Sequence, residues 1–243
     1  MIRVVGLVQA RMGSSRLPGK VMRDLAGKPL VGRIMDRLEA VPGLCGIVLA
    51  TTADPRNDRL VEYAKARGCS VYRAQGEDDI AERLIGAARL VGADAILKVN
   101  GDCPLVDPEV LTKLVATFLK AEDSDYVSNK IAATYPIGLS AEIIATRALE
   151  WCDANLADAT DRELVAAWIM HHPQQFKTVS VTSGRDLGHL NWAVDTPEDF
   201  AFVERIFAAL GDGNRIFGLD EVLEFLDLDA RTGRARVRKE AHP

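Results

Sequence analysis

The segment Gln9-Ala10-Arg11-Met12-Gly13-Ser14-Ser15-Arg16-Leu17-Pro18-Gly19-Lys20 crowds two glycines, two serines, two arginines and a lysine behind one apolar run. Glycines let backbone N–H groups approach an anion closely, and fixed cations hold its charge while a bond to phosphorus breaks. A triphosphate suits such a loop, with Arg11, Arg16 and Lys20 as the cations, although the loop taken alone also reads as a surface turn. Five residues separate Gly13 from Gly19, one more than in a P-loop, and Val21 follows Lys20 where that motif carries a Mg²⁺-binding hydroxyl. Kinase and GTPase chemistry is therefore disfavoured. The sequence has no G-x-G-x-x-G, which weakens a dinucleotide site.

Ligands of open α/β sheets gather beyond the carboxyl ends of strands, so acids that follow apolar runs are the next candidates. Asp102 closes the run Ala95-Ile-Leu-Lys-Val-Asn-Gly-Asp102, and Asp195 closes Leu190-Asn-Trp-Ala-Val-Asp195. Mg²⁺ is commonly held by one or two carboxylates together with substrate phosphates and water, an arrangement these two acids can make. Singly, each reads more readily as a turn residue or helix cap, and Asp195 precedes a Thr-Pro-Glu helix start. With the basic loop they form a catalytic set of Arg11, Lys20, Asp102 and Asp195, the last two as metal ligands.

These residues require a scaffold that brings distant segments to one edge. The first two-thirds of the chain alternates short apolar runs with longer amphipathic segments, the pattern of βαβ units around a mostly parallel sheet. Strands are expected at 3–9, 46–51, 70–73 and 95–99, and helices at 29–40, 57–67 and 78–91. Beyond Val99 a mixed arrangement is expected: helices at 108–120, 146–154, 161–171 and 197–210, and strands at 125–129, 142–145, 178–181 and 190–194. The fold class is α/β, with one domain over 1–230 and a basic tail over 231–243.

A 243-residue chain that is 48% apolar and 27% charged has the composition of a globular protein with a sizeable core. No apolar stretch approaches the roughly 20 residues needed to span a bilayer, and the N-terminus lacks a secretory pattern, so a cytoplasmic location is expected. A net charge of −5 argues against a general nucleic-acid binder. Cys45, Cys69, Cys103 and Cys152 are scattered without C-x-x-C pairing and read as reduced thiols.

The loop, together with Asn-Gly-Asp-Cys-Pro-Leu-Val-Asp-Pro, Asp-Tyr-Val-Ser-Asn and Trp-Ala-Val-Asp-Thr-Pro-Glu-Asp in that order, resembles one family. These are the cytidylyltransferases of the spore coat polysaccharide biosynthesis protein F type, relatives of acylneuraminate and 3-deoxy-manno-octulosonate cytidylyltransferases. The resemblance runs from about Val4 to about Leu226. It implies a glycosyltransferase-A-like nucleotide-diphospho-sugar transferase fold that joins CMP from CTP to a sugar acid or sugar phosphate. Implied nucleotide contacts are Ala10, Arg11, Gly13, Ser14, Arg16, Lys20, Thr51, Thr52, Asn100 and Asp102. Mg²⁺ on Asp102 and Asp195 and a possible homodimer are also implied, with no nucleic-acid or membrane partner. Glu77-Asp78-Asp79 matches a family acidic stretch but is equally explained as a helix N-terminus, and is left out of the metal site.

Two departures fall where the acceptor is expected. Between Tyr135 and Glu142, Ser140 replaces the family's Asp; in the segment from Thr160, Leu164 and Ala166 replace a histidine and a threonine. Tyr135, Glu142 and Arg162 remain the candidate acceptor ligands, Arg162 being open also to a structural ion pair. His171, His172 and His189 have no partner pattern and read as structural or exposed. Two other functions stay open: a glycosyltransferase using a finished nucleotide sugar, and a nucleotide-binding protein without catalysis.

Overall fold

The computed structural model describes residues 2–211 and 215–231. In chain order its strands are β1 (Val4–Gln9), β2 (Asp24–Leu25), β3 (Lys28–Pro29), β4 (Leu44–Thr52), β5 (Ser70–Ala74), β6 (Ala95–Asn100), β7 (Tyr126–Ser128), β8 (Ala141–Ala145) and β9 (Thr178–Ser180). The helices are α1 (Leu30–Glu39), α2 (Asp58–Ala66), α3 (Ile80–Leu90), α4 (Pro108–Lys120), α5 (Thr146–Asn155), α6 (Ala159–Glu163), α7 (Val165–His171), α8 (Pro197–Leu210) and α9 (Leu219–Arg231). Seven strands form one sheet in the order β5-β4-β1-β6-β8-β7-β9, and β2 and β3 form a small hairpin.

The expected change of rhythm after Val99 is a change of strand direction. β5, β4, β1 and β6 pair in parallel, whereas β8 enters antiparallel between β6 and β7. Parallel strands need both faces covered, and β1 shows it: Val4 and Val8 join a core with α1, α2, α4 and α8, while Val5 and Leu7 join one with α3, α5 and α7. By the same alternation Gln9, Lys98 and Asn100 belong to the α3 face, since β6 places Ile96 there and Leu97 and Val99 opposite.

Helix starts follow their chemistry. Asp107 caps α4 by accepting from Glu109 N and Val110 N ahead of Pro108. Thr196 and Asp199 form a reciprocal capping box on α8.

Three features depart from the sequence expectation. The helix expected over 161–171 splits at Leu164, whose backbone leaves helical geometry (φ −99°, ψ 26°) and exposes the side chain. The strand expected at 190–194 makes only an isolated bridge between Ile137 and Asn191. The hairpin and α9 lacked a signal strong enough to place them. Apart from Arg231, which ends α9, the expected basic tail lies outside the described residues. Among the described residues no helix is long and apolar enough to cross a membrane.

Candidate active site

The basic loop leaves β1 and closes on itself: Ser14 N and Gly19 N both donate to Met12 O, and Leu17 N donates to Ser14 Oγ. Gly19 takes a left-handed conformation (φ 69°) that reverses the chain into the short helical turn carrying Lys20. A buried relay holds the loop from below. Asn57 Oδ1 accepts from Met12 N at 2.8 Å, and Asn57 Nδ2 donates to Thr52 Oγ1 at 2.7 Å.

The turn after β6 is pressed against the start of this loop. Gly101 N donates to Gln9 O at 2.8 Å, and a Cβ added at Gly101 would lie 2.7 Å from Ala10 Cβ. Asp102 is thereby set beside the loop, and its carbonyl accepts from Val194 N at 2.8 Å, which brings in Asp195. The helix cap is Thr196, so the Asp195 carboxylate is available for other work.

The acids and the loop meet at Lys20. Its Nζ donates to Val194 O at 2.6 Å and to Asp195 Oδ1 at 3.0 Å, and lies 3.8 Å from Asp102 Oδ2. Arg16 reaches the other Asp195 oxygen at 3.1 Å. Both carboxylates thus approach one nitrogen within 4.0 Å. Among the described residues no cluster of three or more His, Cys, Asp or Glu side chains could hold a metal by itself. Two hard carboxylate oxygens beside this basic loop match the donor set of Mg²⁺ held partly by substrate.

Around this point opens a cavity of about 480 Å³, of the size that takes a nucleotide. Ala10, Arg11, Gly13, Ser14, Arg16, Lys20, Asn100, Asp102 and Asp195 all line it. Thr51 and Thr52 do not: both are buried in β4, where Thr52 supports the loop through Asn57 and the Thr51 hydroxyl has no partner among the described residues.

None of the three expected acceptor ligands lines this cavity. Tyr135 packs against a different cavity with Asp107, Lys113 and Phe217, its hydroxyl donating to Thr182 O. Glu142 is buried in β8, where Lys98 donates to it at 2.6 Å and Tyr126 donates to its other oxygen. Burial alone would raise the Glu142 carboxyl, but Lys98 and Lys130 outweigh it and hold it well below the usual range. Arg162 is consumed by ion pairs to Asp79 at 2.8 Å and Asp153 at 3.0 Å and by carbonyls of Asp153 and Leu156. In their place, Glu163 and the exposed Leu164 line the cavity.

Sequence reasoning set Glu77 and Asp78 aside as a helix N-terminus and gave Gln9 and Arg83 no role, yet all four line the cavity. Arg83 is buried on α3, donates to the carbonyls of Gly76 and Glu77, and has an Nε without a partner among the described residues. Burial, then neighbouring Arg11, pull its guanidinium below the ordinary value. Glu77 pairs with Arg11 at 3.3 Å and Arg56 at 3.2 Å, so this acid disposes cations at the rim. The signal was present: an acidic helix start followed by an arginine among alanines and leucines, which reads as an ordinary amphipathic helix.

A family model described as cytidylyltransferase matches residues 5–216. The chain belongs to the cytidylyltransferase family. It is thereby a nucleotidyltransferase, and its fold agrees: the structure of a cytidylyltransferase from Leptospira borgpetersenii superposes with a TM-score of 0.90 at 26% identity, covering 99% of this chain and 100% of that one. An uncharacterized protein of Methanocaldococcus jannaschii is 30% identical to this chain over 93% of it and 91% of its own length. The spore coat polysaccharide biosynthesis protein SpsF of Bacillus subtilis is 26% identical over 86% of this chain and 88% of its own.

Proposed function

We propose that this nucleotidyltransferase transfers CMP from CTP to a sugar acid or sugar phosphate, with Mg²⁺ and with release of pyrophosphate, in the synthesis of surface polysaccharide or another glycan. The observation that carries the reading is the convergence of Lys20, Asp102 and Asp195 on one edge of the cavity.

In this reading Ala10–Lys20 wraps the triphosphate with backbone N–H groups, while Arg11, Arg16 and Lys20 hold its charge. An acceptor oxygen, either a phosphate oxygen or a hydroxyl that gives up its proton to water, bonds to the α-phosphorus as the bond to the bridging oxygen breaks, and the electron pair leaves with pyrophosphate. Lys20, now paired with the two acids, turns to the phosphates when they bind. Asp102 and Asp195 would hold Mg²⁺, which when bound neutralises charge on the leaving group and lowers the pKa of an acceptor hydroxyl. Positioning and charge stabilisation supply most of the rate.

Pyrophosphate release from CTP and Mg²⁺, across a panel of sugar acids and sugar phosphates, tests the transfer. A thermal-shift screen of the four nucleoside triphosphates tests the base, since a ligand of the folded state alone raises the melting temperature. One observation favours a second reading. Leu164, where the family carries an imidazole, stands in the cavity wall and brings no proton-transfer group, as a protein that binds the nucleotide without turnover would have it. CTP binding with no pyrophosphate from any acceptor would select that reading.

A further inference from the structure

One buried polar strip crosses the α3 face of the sheet and ends in the cavity. Lys98 Nζ on β6 donates to Asn100 Oδ1 at 3.1 Å and to Glu142 Oε1 on β8 at 2.6 Å, and Tyr126 on β7 closes the strip by donating to the second Glu142 oxygen. Lys98 is 8% exposed and Glu142 2%. Replacing a buried ion pair by apolar residues is often neutral or stabilising, so the pair is weak as a stability device. Its position, one hydrogen bond behind a cavity residue, points to another use.

An ammonium has three donors and no acceptor. Asn100 must therefore give Lys98 its carbonyl oxygen, which leaves its NH₂ as the donor it can offer to the cavity that it lines. Among the described residues that NH₂ has no partner. Glu142 in turn holds Lys98 in place, and its two oxygens are occupied by Lys98 and Tyr126, so none of the strip is free to swing. Asn100 pairs across the sheet with Gln9, where the phosphate loop begins, and stands two residues before Asp102. In the proposed reading the phosphates lie on the loop and the reacting α-phosphate near Asp102, which would bring the ribose–α-phosphate stretch past this spot.

We propose that Lys98, anchored by Glu142, is a positioning residue that locks the Asn100 amide as a hydrogen-bond donor to an oxygen in the ribose–α-phosphate stretch of the bound nucleotide. This rests on CTP being the nucleotide.

The test is calorimetric titration of CTP with Mg²⁺ into wild type, Asn100→Ala, the paired variant Lys98→Met/Glu142→Gln, and all three changes together. The paired change avoids leaving Glu142 charged and alone. Asn100→Ala weakens CTP about five- to tenfold, the worth of one net hydrogen bond. The paired variant weakens it by a similar factor, and the triple variant binds no more weakly than Asn100→Ala, because Lys98 acts through Asn100. Lys98→Arg, which also can only donate, keeps wild-type affinity. Asn100→Asp leaves the core untouched and presents only acceptors; it weakens CTP more than Asn100→Ala. Losses that multiply in the triple variant, a paired variant that binds like wild type, or an Asn100→Asp protein of unchanged affinity overturns the proposal. Wild-type protein that binds no CTP overturns the nucleotide reading beneath it, and is told apart by that control alone.

Discussion

Lys20 and Asp195 face each other at 3.0 Å across the cavity edge, joined from segments 175 residues apart. The pairing holds a carboxylate beside the loop before any ligand enters, with its charge balanced. Asp195→Asn keeps the shape and an acceptor for Lys20 but removes the anionic oxygen that would ligate Mg²⁺. Turnover is expected to fall at least about hundredfold, the scale of losing one preorganised electrostatic contact. The Mg²⁺ concentration for half-maximal rate should rise. Stability should fall by about 1–3 kcal/mol: the Asp195 side chain is 31% exposed, but its partner Lys20 is buried and keeps only Asp102, at 3.8 Å, as a counter-charge. A large fall in melting temperature with unchanged Mg²⁺ dependence would make the pair structural.

The basic loop after β1 owes its shape to Asn57 as much as to its own glycines. Asn57→Ala strands Met12 N and the Thr52 hydroxyl together, and the expected cost is about 1–3 kcal/mol by urea unfolding. The CTP Michaelis constant should rise more than the turnover number falls, since the loop cations remain present but less ordered. Thr52→Val, nearly equal in volume, should reproduce a smaller part of the same defect. Equal kinetics in all three proteins would remove Asn57 from the argument.

The Glu142–Lys98 pair makes stability depend on pH in a stated direction. Glu142 has its folded carboxyl held below the ordinary 4.5 by Lys98 and Lys130, despite the opposing effect of burial. A depressed folded value means that the unfolded chain binds the proton first. Its contribution is fully present above pH 4.5 and is lost as pH falls from there toward the folded value. Glu142→Gln, which leaves Lys98 buried without its counter-charge, should destabilise by about 3–5 kcal/mol at pH 7. That deficit should narrow between pH 4.5 and 3, measured by urea unfolding. A deficit that is constant over this range would assign the loss to packing.

These residues also show what the sequence could and could not disclose. The alternation of apolar runs and amphipathic segments located the parallel half within a residue or two, because β1 and β6 are buried over nearly their whole length and their runs are correspondingly apolar. The acids at 102 and 195 were legible as strand-end residues, and the cavity contains both. Leu190–Val194 was apolar enough for a strand, yet it lies over Ile137 and Asp102 and serves to deliver Asp195 rather than extend the sheet. Glu142 and Arg162 were legible as charged residues near the acceptor segments, but a sequence does not show which counter-charges fold against them. Lys98 and Asp79, both distant in the chain, decided those roles. Arg83 stayed hidden because one basic residue on an apolar helix face carries no periodic signal.

Close contact between Gly101 and Ala10 offers the most direct check that the two halves of the site must touch. A methyl group at position 101 would lie 2.7 Å from Ala10 Cβ and 3.1 Å from Ala10 Cα and Gln9 O, so the turn bearing Asp102 must move away from the loop. Gly101→Ala is expected to lower turnover by roughly 10²-fold, the effect of a misplacement near 1 Å at a reacting centre. Overpacking here should cost about 1–3 kcal/mol of stability. Ala10→Gly added to Gly101→Ala removes the nearest clash and leaves the two contacts at 3.1 Å, so it should recover part of the turnover but not all. If the double variant is no more active than Gly101→Ala alone, the loss arises from the turn itself, and the apposition of loop and acid is not what Gly101 protects.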